Sequence, residues 1–538
     1  MLAMPVPLAP FVRFLSRQSE GNPFFVAEYL RTAVDEKVLH RQDARWHIAG
    51  NRETEADFEA LPLPRSVRDL VTRRFRDLSA AARFLAEAAS VLGREPEEEL
   101  LASLVDVDSS AVGASALAEL LARGLLERDD AGRLRFAHDK IRETAYDALP
   151  AEKKKSLHER AGLALEAFAK SRSGLERGGV ELRYAELSRH FLLAGDEEKA
   201  LFYSEKAALR ALEAGAYREG EDLLARVVSL DERRGEKRAT PLTRARWQRL
   251  RAGASFGLGD LATCGKRAEE GLRLLGLPMP ATPGEWKRAL GKNLAVQAAH
   301  RFLPRALLKA RPEQWETLAE ASFAAQRLSE RHYFAADALA MVTSSLLSVN
   351  LAERTGVFPQ VSRTYAMLGL VAGSSGLARV GRVYFREGKS LAERTNDAAG
   401  LVYVLYADAS VDLGTGDFVE AKRKAEEALE KERAVGDRQE IEVIQTILAH
   451  VAHYTGRPAD ARSIFFAMRD SARERANLQH ETWGTYGASR SSIVLGRLDE
   501  AVELLERARA LLTKQADHMS SVLCQALLAW AHLERREL

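Results

Sequence analysis

Few groups of residues in this 538-residue sequence have the types and spacing that phosphate chemistry requires. The nearest match to a P-loop is the run from Gly259 to Arg267. It has one residue too many between its glycines and lacks the Ser or Thr that would bind Mg²⁺. Gly257 and Gly259 also match part of a dinucleotide-binding turn, but no predicted strand precedes them. We therefore interpret this segment as a turn between repeated helices.

Candidate metal ligands and nucleophiles are equally sparse. His450 and His453 lie one helical turn apart without an evident third ligand, and ordinary packing explains them. The two cysteines, Cys264 and Cys524, are far apart, which argues against a disulfide framework and fits a reducing compartment. Kinase catalytic-loop signatures are also missing. The sequence predicts a chain that carries no catalytic and no metal site of its own.

Charge and hydropathy exclude several classes of protein. The 79 basic and 77 acidic side chains nearly cancel, so a global charge for nucleic-acid binding is absent. No apolar run approaches the roughly 20 residues that span a bilayer, and the N-terminus lacks the basic and apolar regions of a secretory signal. We expect a cytoplasmic protein that has neither nucleic acid nor membrane as a partner.

The elements that must position these residues are helices almost throughout, because apolar residues recur at helical spacing. Strand patterns are confined to two hairpins, over 37–48 and 124–136, with Asp or Gly in their turns. Helices are predicted around the second hairpin over 66–77, 79–92, 97–105, 110–123 and 139–149. Helices followed by a small two-stranded wing predict a winged-helix unit.

From about residue 183 the chain changes character, and a regular repeat appears in its later part. Turn glycines recur 40 residues apart, and small residues follow them five positions later. The turn residues are Gly376, Gly416, Gly456 and Gly496, and the small residues are Gly381, Ala421, Ala461 and Ala501. Glycine permits the left-handed turn between antiparallel helices, and a small residue lets the second helix approach the first closely. This pattern predicts tetratricopeptide-like repeats with a period longer than the usual 34.

The predicted fold class is mainly α: a small helical lid and a winged-helix unit, followed by a tetratricopeptide-like α-solenoid. The predicted divisions are a lid remnant with a short hairpin over 1–60, the winged helix over 62–150, first repeats over 151–275, a basic amphipathic linker over 276–312 and further repeats over 313–538. The chain ends in an apolar helical run. Either its last helix caps the repeats or the sequence is truncated, and we favour truncation.

The predicted linker has no acidic residue between Glu285 and Glu313, where seven Lys and Arg alternate with apolar residues. Such a stretch could meet an acidic partner or a membrane surface, or it could be the solvated face of a connecting helix. We favour the connecting helix.

Several segments resemble one family. "EGNPFFVAEYLR" (Glu20–Arg31) resembles the segment after the nucleotide-binding core of STAND-type signal-transduction ATPases, a branch of the AAA-like P-loop proteins. "LPRSVRDLVTRRFRDLS" and "LRFAHDKIRETAYDALPAEKKKSLHERAGLALE" are similar to the winged helix and exit helix that follow. The tract around 276–311 resembles the linker of members that are fused to a Ser/Thr protein kinase. The chain thus looks like the C-terminal part of such a bacterial multidomain protein, a family that also includes ATP-dependent transcriptional activators.

The resemblance implies two nucleotide-binding residues. Pro23, in Gly21-Asn22-Pro23, matches the proline that packs against adenine, and His138, in Ala137-His138-Asp139, matches the histidine that contacts a phosphate of bound ADP. In this sequence Ala137 replaces the methionine of the family motif. The same residues have simpler explanations, because Asn22 and Pro23 begin a helix well and His138 could begin the helix after the wing.

We expect this chain to be the regulatory, sensor and protein-interaction portion of a STAND-type signalling ATPase. A protein, a peptide or a small effector would bind in the groove of the repeats. ADP or ATP would bind only together with an upstream nucleotide-binding core, since the chain has no P-loop. The alternatives are a free-standing tetratricopeptide-repeat adaptor and a fragment of an ATP-binding Ser/Thr protein kinase.

Overall fold

Helix-forming residues and apolar periodicity give a mainly α structure. The computed structural model describes residues 9–536 except 20–22, 36, 43–44, 50–71, 73–74, 105–109, 173–182, 236–237, 304–307, 356–360, 514 and 516. The chain divides into two compact units, Met1–Tyr203 and Ser204–Leu538, which we call unit 1 and unit 2. Within the described residues, no helix is both long and apolar enough to cross a bilayer.

Unit 1 combines short helices with two small hairpins. Its helices are α1 Ala9–Gln18, α2 Pro23–Asp35, α3 Ala80–Leu92, α4 Glu98–Leu104, α5 Ser110–Ala122, α6 Asp139–Asp147, α7 Ala151–Arg172 and α8 Tyr184–Ala194, and the unit ends within α9 Glu197–Glu213. Its strands are β1 Leu39–Gln42, β2 Arg45–Ile48, β3 Leu126–Arg128 and β4 Leu134–Phe136. Both hairpins are antiparallel, with Leu39 opposite Ile48 and Leu126 opposite Phe136. Both hairpins were predicted from the sequence.

The helices around the second hairpin occur in the predicted order. Helices α3 to α6 lie within one or two residues of the bounds expected from periodicity, and the predicted helix 66–77 lies mostly outside the described residues. Helix α3 packs against α5, α6 and α7, and Leu120, Leu126 and Phe136 are buried. A separate core of Phe11, Phe14, Phe25, Tyr29 and Leu39 joins the first two helices to β1.

Unit 2 is a tetratricopeptide-like α-solenoid, as its periodicity predicts. After α9 its helices are α10 Tyr217–Arg233, α11 Pro241–Gly257, α12 Leu261–Leu274, α13 Pro283–Phe302, α14 Pro312–Phe334, α15 Ala338–Glu353, α16 Val361–Ser374, α17 Ala378–Thr395, α18 Ala398–Thr415, α19 Phe418–Val435, α20 Arg438–Tyr454, α21 Pro458–Glu474, α22 Leu478–Val494, α23 Leu498–Leu512 and α24 His518–Glu534. Each helix packs against the next one along the chain from α10 to α12 and again from α14 to α24.

The turns between these helices follow one local rule. A residue with positive φ ends a helix, and in many turns the next residue is Asp or Asn, whose side chain accepts a hydrogen bond from a backbone N–H of the next helix. Gly416 (φ 85°) is followed by Asp417, which accepts from the Glu420 N–H at 3.2 Å. Other pairs of this kind are Gly195-Asp196, Gly259-Asp260, Ala336-Asp337, Asn396-Asp397, Gly436-Asp437 and Ala476-Asn477.

The four predicted turn glycines all have positive φ, and the small residues after them are buried. Ala421, Ala461 and Ala501 are fully buried. A Cβ added to Gly381 would lie 2.7 Å from the Gly369 carbonyl oxygen, so the two helices approach too closely there for a larger residue. Positive φ also occurs at Asn396, Gly436 and Ala476, so from 376 to 496 a left-handed residue recurs every 20 residues. The glycine pattern alone shows every second one of these turns.

The segment predicted as a basic linker contains α13, whose docking differs from that of an ordinary amphipathic helix. Its buried side is polar: Asn293, Gln297 and His300 are buried, while Phe302 is 86% exposed. Helix α13 packs against α15, where the amide of Asn350 donates to the Asn293 carbonyl oxygen at 2.9 Å. Hydrogen bonds therefore hold this helix in place, and several of its apolar residues face solvent.

Unit 2 also makes contacts between helices that are far apart in sequence. The Asn477 side chain donates to the Gly257 carbonyl oxygen at 2.9 Å, and the Tyr217 hydroxyl donates to Asp437 at 3.4 Å. The ring of Phe334 lies 5.5 Å from that of Trp483. The start of the solenoid thus meets helices about 220 residues later in the chain, and the repeats enclose an interior.

Candidate ligand-binding chamber

The structure places both candidate nucleotide-binding residues in unit 1. Pro23 begins α2 and is exposed, while Asn22 lies outside the described residues. His138 is the N-cap of α6, and its Nδ1 accepts a hydrogen bond from the Lys140 N–H at 3.2 Å. The ring of Phe25, two residues after Pro23, lies 5.0 Å from the His138 ring. Both residues begin helices, which is the simpler of the two roles that the sequence left open, and their contact with nucleotide stays a prediction.

The glycine-rich segment that matches nucleotide motifs in part is a packing feature. A Cβ on Gly257 would lie 2.5 Å from the Tyr217 ring, and one on Gly259 would lie 2.7 Å from the backbone nitrogen of Gln479. Gly259 also has a φ of 77°, which favours glycine. The interpretation of this segment as a turn between repeats is confirmed, and its glycines allow the long-range contacts that close unit 2.

His450 and His453 occupy ordinary environments. Arg490 donates to Nδ1 of His450, and Nδ1 of His453 lies 3.2 Å from the Ser491 hydroxyl. Burial lowers the pKa of His450 well below its usual value and that of His453 to about 4, so both rings are neutral at pH 7. Among the described residues, no three or more His, Cys, Asp or Glu side chains are placed to hold a metal ion. His450 instead lines a cavity.

That cavity lies in the interior of unit 2 and has a volume of about 290 Å³. Its walls come from seven helices, α11, α14, α16, α18, α20, α22 and α24, and they are mainly apolar and aromatic. The aromatic side chains are Phe256, Tyr333, Phe334, Tyr403, Tyr406, Trp483 and Tyr486. A second cavity of about 220 Å³ adjoins it and shares Phe256, Arg327, Arg363, Gln439 and Glu440 as lining residues. We call the two cavities together the chamber.

One side of the chamber carries a saturated ion pair. Arg327 Nη1 donates to Glu330 Oε2 at 2.6 Å, and the Arg327 guanidinium lies 4.6 Å from the centre of the Phe256 ring. The Tyr403 hydroxyl and the Gln326 amide also donate to Glu330, at 2.9 and 3.1 Å. Because Glu330 accepts from three side chains, the charges of Arg327 and Glu330 balance each other without a ligand.

The other charged pair in the chamber is loose. Arg363 Nη1 lies 3.9 Å from Glu440 Oε1, which is too long for a hydrogen bond. The Tyr406 hydroxyl donates to Glu440, and the Arg363 guanidinium lies 5.4 Å from the centre of the Tyr403 ring. Burial raises the pKa of the Glu440 carboxyl above its usual value, although Arg363 acts to lower it.

A hydrogen-bonded network supports the aromatic wall. The His480 and Trp483 rings stack with their centres 4.7 Å apart, and the Trp483 indole N–H donates to the Ser520 hydroxyl at 3.1 Å. Nδ1 of His480 lies 2.7 Å from Glu442, which also pairs with Arg475. These contacts fix the wall before any ligand binds, which reduces the entropy that binding must overcome.

The groups that line the chamber can bind a ligand through charged, polar and aromatic contacts. Cys264 and Cys524 are both buried and neither lines the chamber, and burial raises the pKa of their thiols to about 12 and about 11. Apolar walls with a few polar groups are typical of small-molecule sites, and about 290 Å³ lies just below the roughly 300–1,000 Å³ usual for them.

The sequence did not indicate this site. Arg327, Arg363 and Glu440 lie on α14, α16 and α20, and each alone is an ordinary charged residue of an amphipathic helix. Their meeting depends on how far each repeat rotates relative to the previous one, and the helical period does not specify that rotation. The sequence feature that could have indicated the site is a charged residue at a helix position that the repeat pattern predicts to be buried.

Comparisons with known proteins find solved structures of low similarity to this chain. No protein-family model matches the chain, and no curated protein sequence matches it. Among solved structures, a Signal Transduction ATPase with Numerous Domains (STAND) protein with a tetratricopeptide repeat sensor from Pyrococcus horikoshii matches at 13% identity, with a TM-score of 0.33. The match covers 96% of this chain and 71% of that one.

Two further structures match about 70% of the chain. A Rap protein complexed with competence and sporulation factor matches at 11% identity and a TM-score of 0.40, over 69% of this chain and 99% of its own. Aspartyl phosphate phosphatase F from Bacillus subtilis matches at 10% identity and a TM-score of 0.39, over 70% and 88%. Similarity at this level assigns the chain to none of these families. The chain's own helices and turns define the class, a tetratricopeptide-like α-solenoid protein.

Proposed function

We propose that this chain is the sensor region of a STAND-type signalling ATPase and that unit 2 binds an effector in the chamber. One observation carries the sensor role: the repeats meet again after about 220 residues and enclose a preformed chamber with charged and aromatic walls. A ligand inside touches helices from many repeats at once. It can therefore change the balance between closed and open repeats by as much as its affinity for the two forms differs.

Blocking the chamber tests this proposal. Ser410 lines the chamber, so Ser410→Trp would fill part of it, whereas Ser390→Trp places the same side chain on the exposed surface of α17. We expect ligands found by thermal-shift screening of small metabolites and short peptides to stabilise the wild type and Ser390→Trp but not Ser410→Trp. Ligands that stabilise all three equally would place binding outside the chamber and contradict the proposal.

The relationship to STAND ATPases is supported by the residues of unit 1 and has its own test. His138→Ala removes both the imidazole and the N-cap of α6, while His138→Asn keeps a capping side chain and removes only the imidazole. We expect ADP, measured by calorimetry on the chain together with a nucleotide-binding core, to bind at least tenfold more weakly to both variants. Only His138→Ala should also lose about 1 kcal/mol of stability.

The opposite outcome would favour the other function that the sequence allows. If ADP binds both variants as it binds the wild type, His138 is only a helix cap. The chain would then fit a free-standing repeat adaptor whose chamber or groove binds its partner without nucleotide.

A further inference from the structure

Arg363 is the one arginine of the chamber's shared lining that lacks a carboxylate at hydrogen-bond distance within the described residues. Its ion pair with Glu440 spans 3.9 Å, and its Nε is buried without a hydrogen-bond partner among the residues that the structure describes. A guanidinium carries five N–H donors in a flat fork that matches a carboxylate. Buried donors that stay unpaired are unfavourable, so this group is prepared to accept an anion.

The other charged residues around Arg363 do not pair with its N–H donors. Arg327 is paired with Glu330 through its Nη1, and Glu330 already accepts from Tyr403 and Gln326. Glu440 accepts from the Tyr406 hydroxyl, and its nearest contact with Arg363 spans 3.9 Å. A quarter of the Arg363 side chain stays exposed, and Arg363 lines both cavities of the chamber.

The lining of the larger cavity is mainly apolar and aromatic, which limits the kind of anion that fits there. A phosphate or a sugar would lose hydrogen bonds to water against these apolar walls without gaining others. An aromatic or aliphatic group would pack against them. The two cavities, of about 290 and 220 Å³, have room for a small molecule and not for a folded partner.

We propose that the effector bound in the chamber is a small organic carboxylate with an apolar body. Its carboxylate binds side-on to the Arg363 guanidinium, and its body packs against the aromatic side chains that line the same cavity. This assignment rests on the proposed effector role of the chamber and adds the ligand's chemical class.

A pair of probes that differ only in charge tests the assignment. The full chain is titrated by calorimetry with 3-phenylpropionate and with 3-phenylpropionamide, its neutral analogue. We expect the acid to bind at least tenfold more tightly than the amide. Arg363→Met should remove that difference. Glu440→Gln, which removes the competing carboxylate and keeps its shape, should strengthen binding of the acid severalfold and leave the amide unchanged.

The control is an arginine with the same pairing distance outside the chamber. Arg438 also lies 3.9 Å from a glutamate, Glu474, but is 67% exposed, so Arg438→Met should bind both probes like the wild type. Circular dichroism melts verify that each variant folds. If Arg363→Met does not fold, the gain expected for Glu440→Gln still decides the question.

Two results would overturn the assignment. One is equal binding of acid and amide, and the other is no binding of either probe at millimolar concentration. In both cases a different ligand whose stabilising effect is lost in Ser410→Trp would still support the sensor role, so the two proposals can fail separately.

Discussion

Ala476 shows how single residues in this solenoid can be less than optimal. It has a φ of 57° in the turn before Asn477, a conformation in which its Cβ is crowded. Its side chain is exposed and makes no packing contribution that would offset the strain. The turn keeps its form because Asn477, the next residue, caps α22 and binds the Gly257 carbonyl oxygen.

We therefore expect Ala476→Gly to raise the free energy of unfolding by about 0.5–1 kcal/mol, since glycine adopts positive φ without that crowding. Ala467→Gly is the matched control, because Ala467 is also exposed but lies within α21, where glycine costs about 1 kcal/mol. Urea denaturation followed by circular dichroism would measure both. A loss of stability in Ala476→Gly equal to that in Ala467→Gly would show that the turn is not strained.

At the residue scale, the sequence predicts roles better when the residue type alone carries the constraint. Gly376, Gly416, Gly456 and Gly496 could be identified as turns because glycine is the usual residue at positive φ. The turn at Ala476 could not be identified in this way, because alanine usually favours a helix. The tertiary contacts of the next residue, Asn477, override that preference.

At the scale of elements, one turn joins local and long-range structure. The turn between α11 and α12 contains Gly259, which has positive φ and also lies against the backbone of Gln479. Gly416 has positive φ as well, but a Cβ there would meet nothing within 4 Å. Substituting Gly416 therefore measures the cost of positive φ alone. Substituting Gly259 measures that cost together with the cost of a steric clash.

We expect Gly416→Ala to destabilise unit 2 by about 1 kcal/mol, the cost of a left-handed alanine. Gly259→Ala should cost at least about 1–3 kcal/mol more, because its methyl group would push α22 away and strain or break the Asn477–Gly257 hydrogen bond. Denaturation curves of the two variants under the same conditions would compare these costs. Equal losses would mean that the contact at Gly259 does not form in solution.

Helix positions and the two hairpins could be predicted because they depend on residues close in sequence. The polar side by which α13 packs against α15 could not be predicted, since the basic and apolar pattern of α13 suggests a buried apolar face. In the structure, Asn350, Glu353 and their neighbours on α15 offer hydrogen bonds to Asn293, Gln297 and His300, and these partners decide which side is buried.

At the scale of the molecule, the function depends on whether unit 2 closes on itself. The solenoid prediction follows from a 40-residue period, but a period does not state whether the stacked repeats return to their start. That return follows from many small rotations between repeats, which add along the chain. The chamber, the site at Arg363 and the effect of Gly259→Ala all depend on it.

The most direct measurement of closure is photo-crosslinking from position 217 of the full chain. Tyr217 lines the smaller cavity, which leaves room for p-benzoyl-phenylalanine in its place, and its hydroxyl lies 3.4 Å from Asp437. The same group at Tyr454, whose ring stacks on Phe418, is the control for crosslinks between neighbouring repeats. We predict that irradiation links position 217 to the peptide that contains Asp437 and links position 454 only to adjacent helices. Crosslinks from position 217 that reach only sequence neighbours such as α9 and α11 would contradict the closed solenoid and the chamber within it.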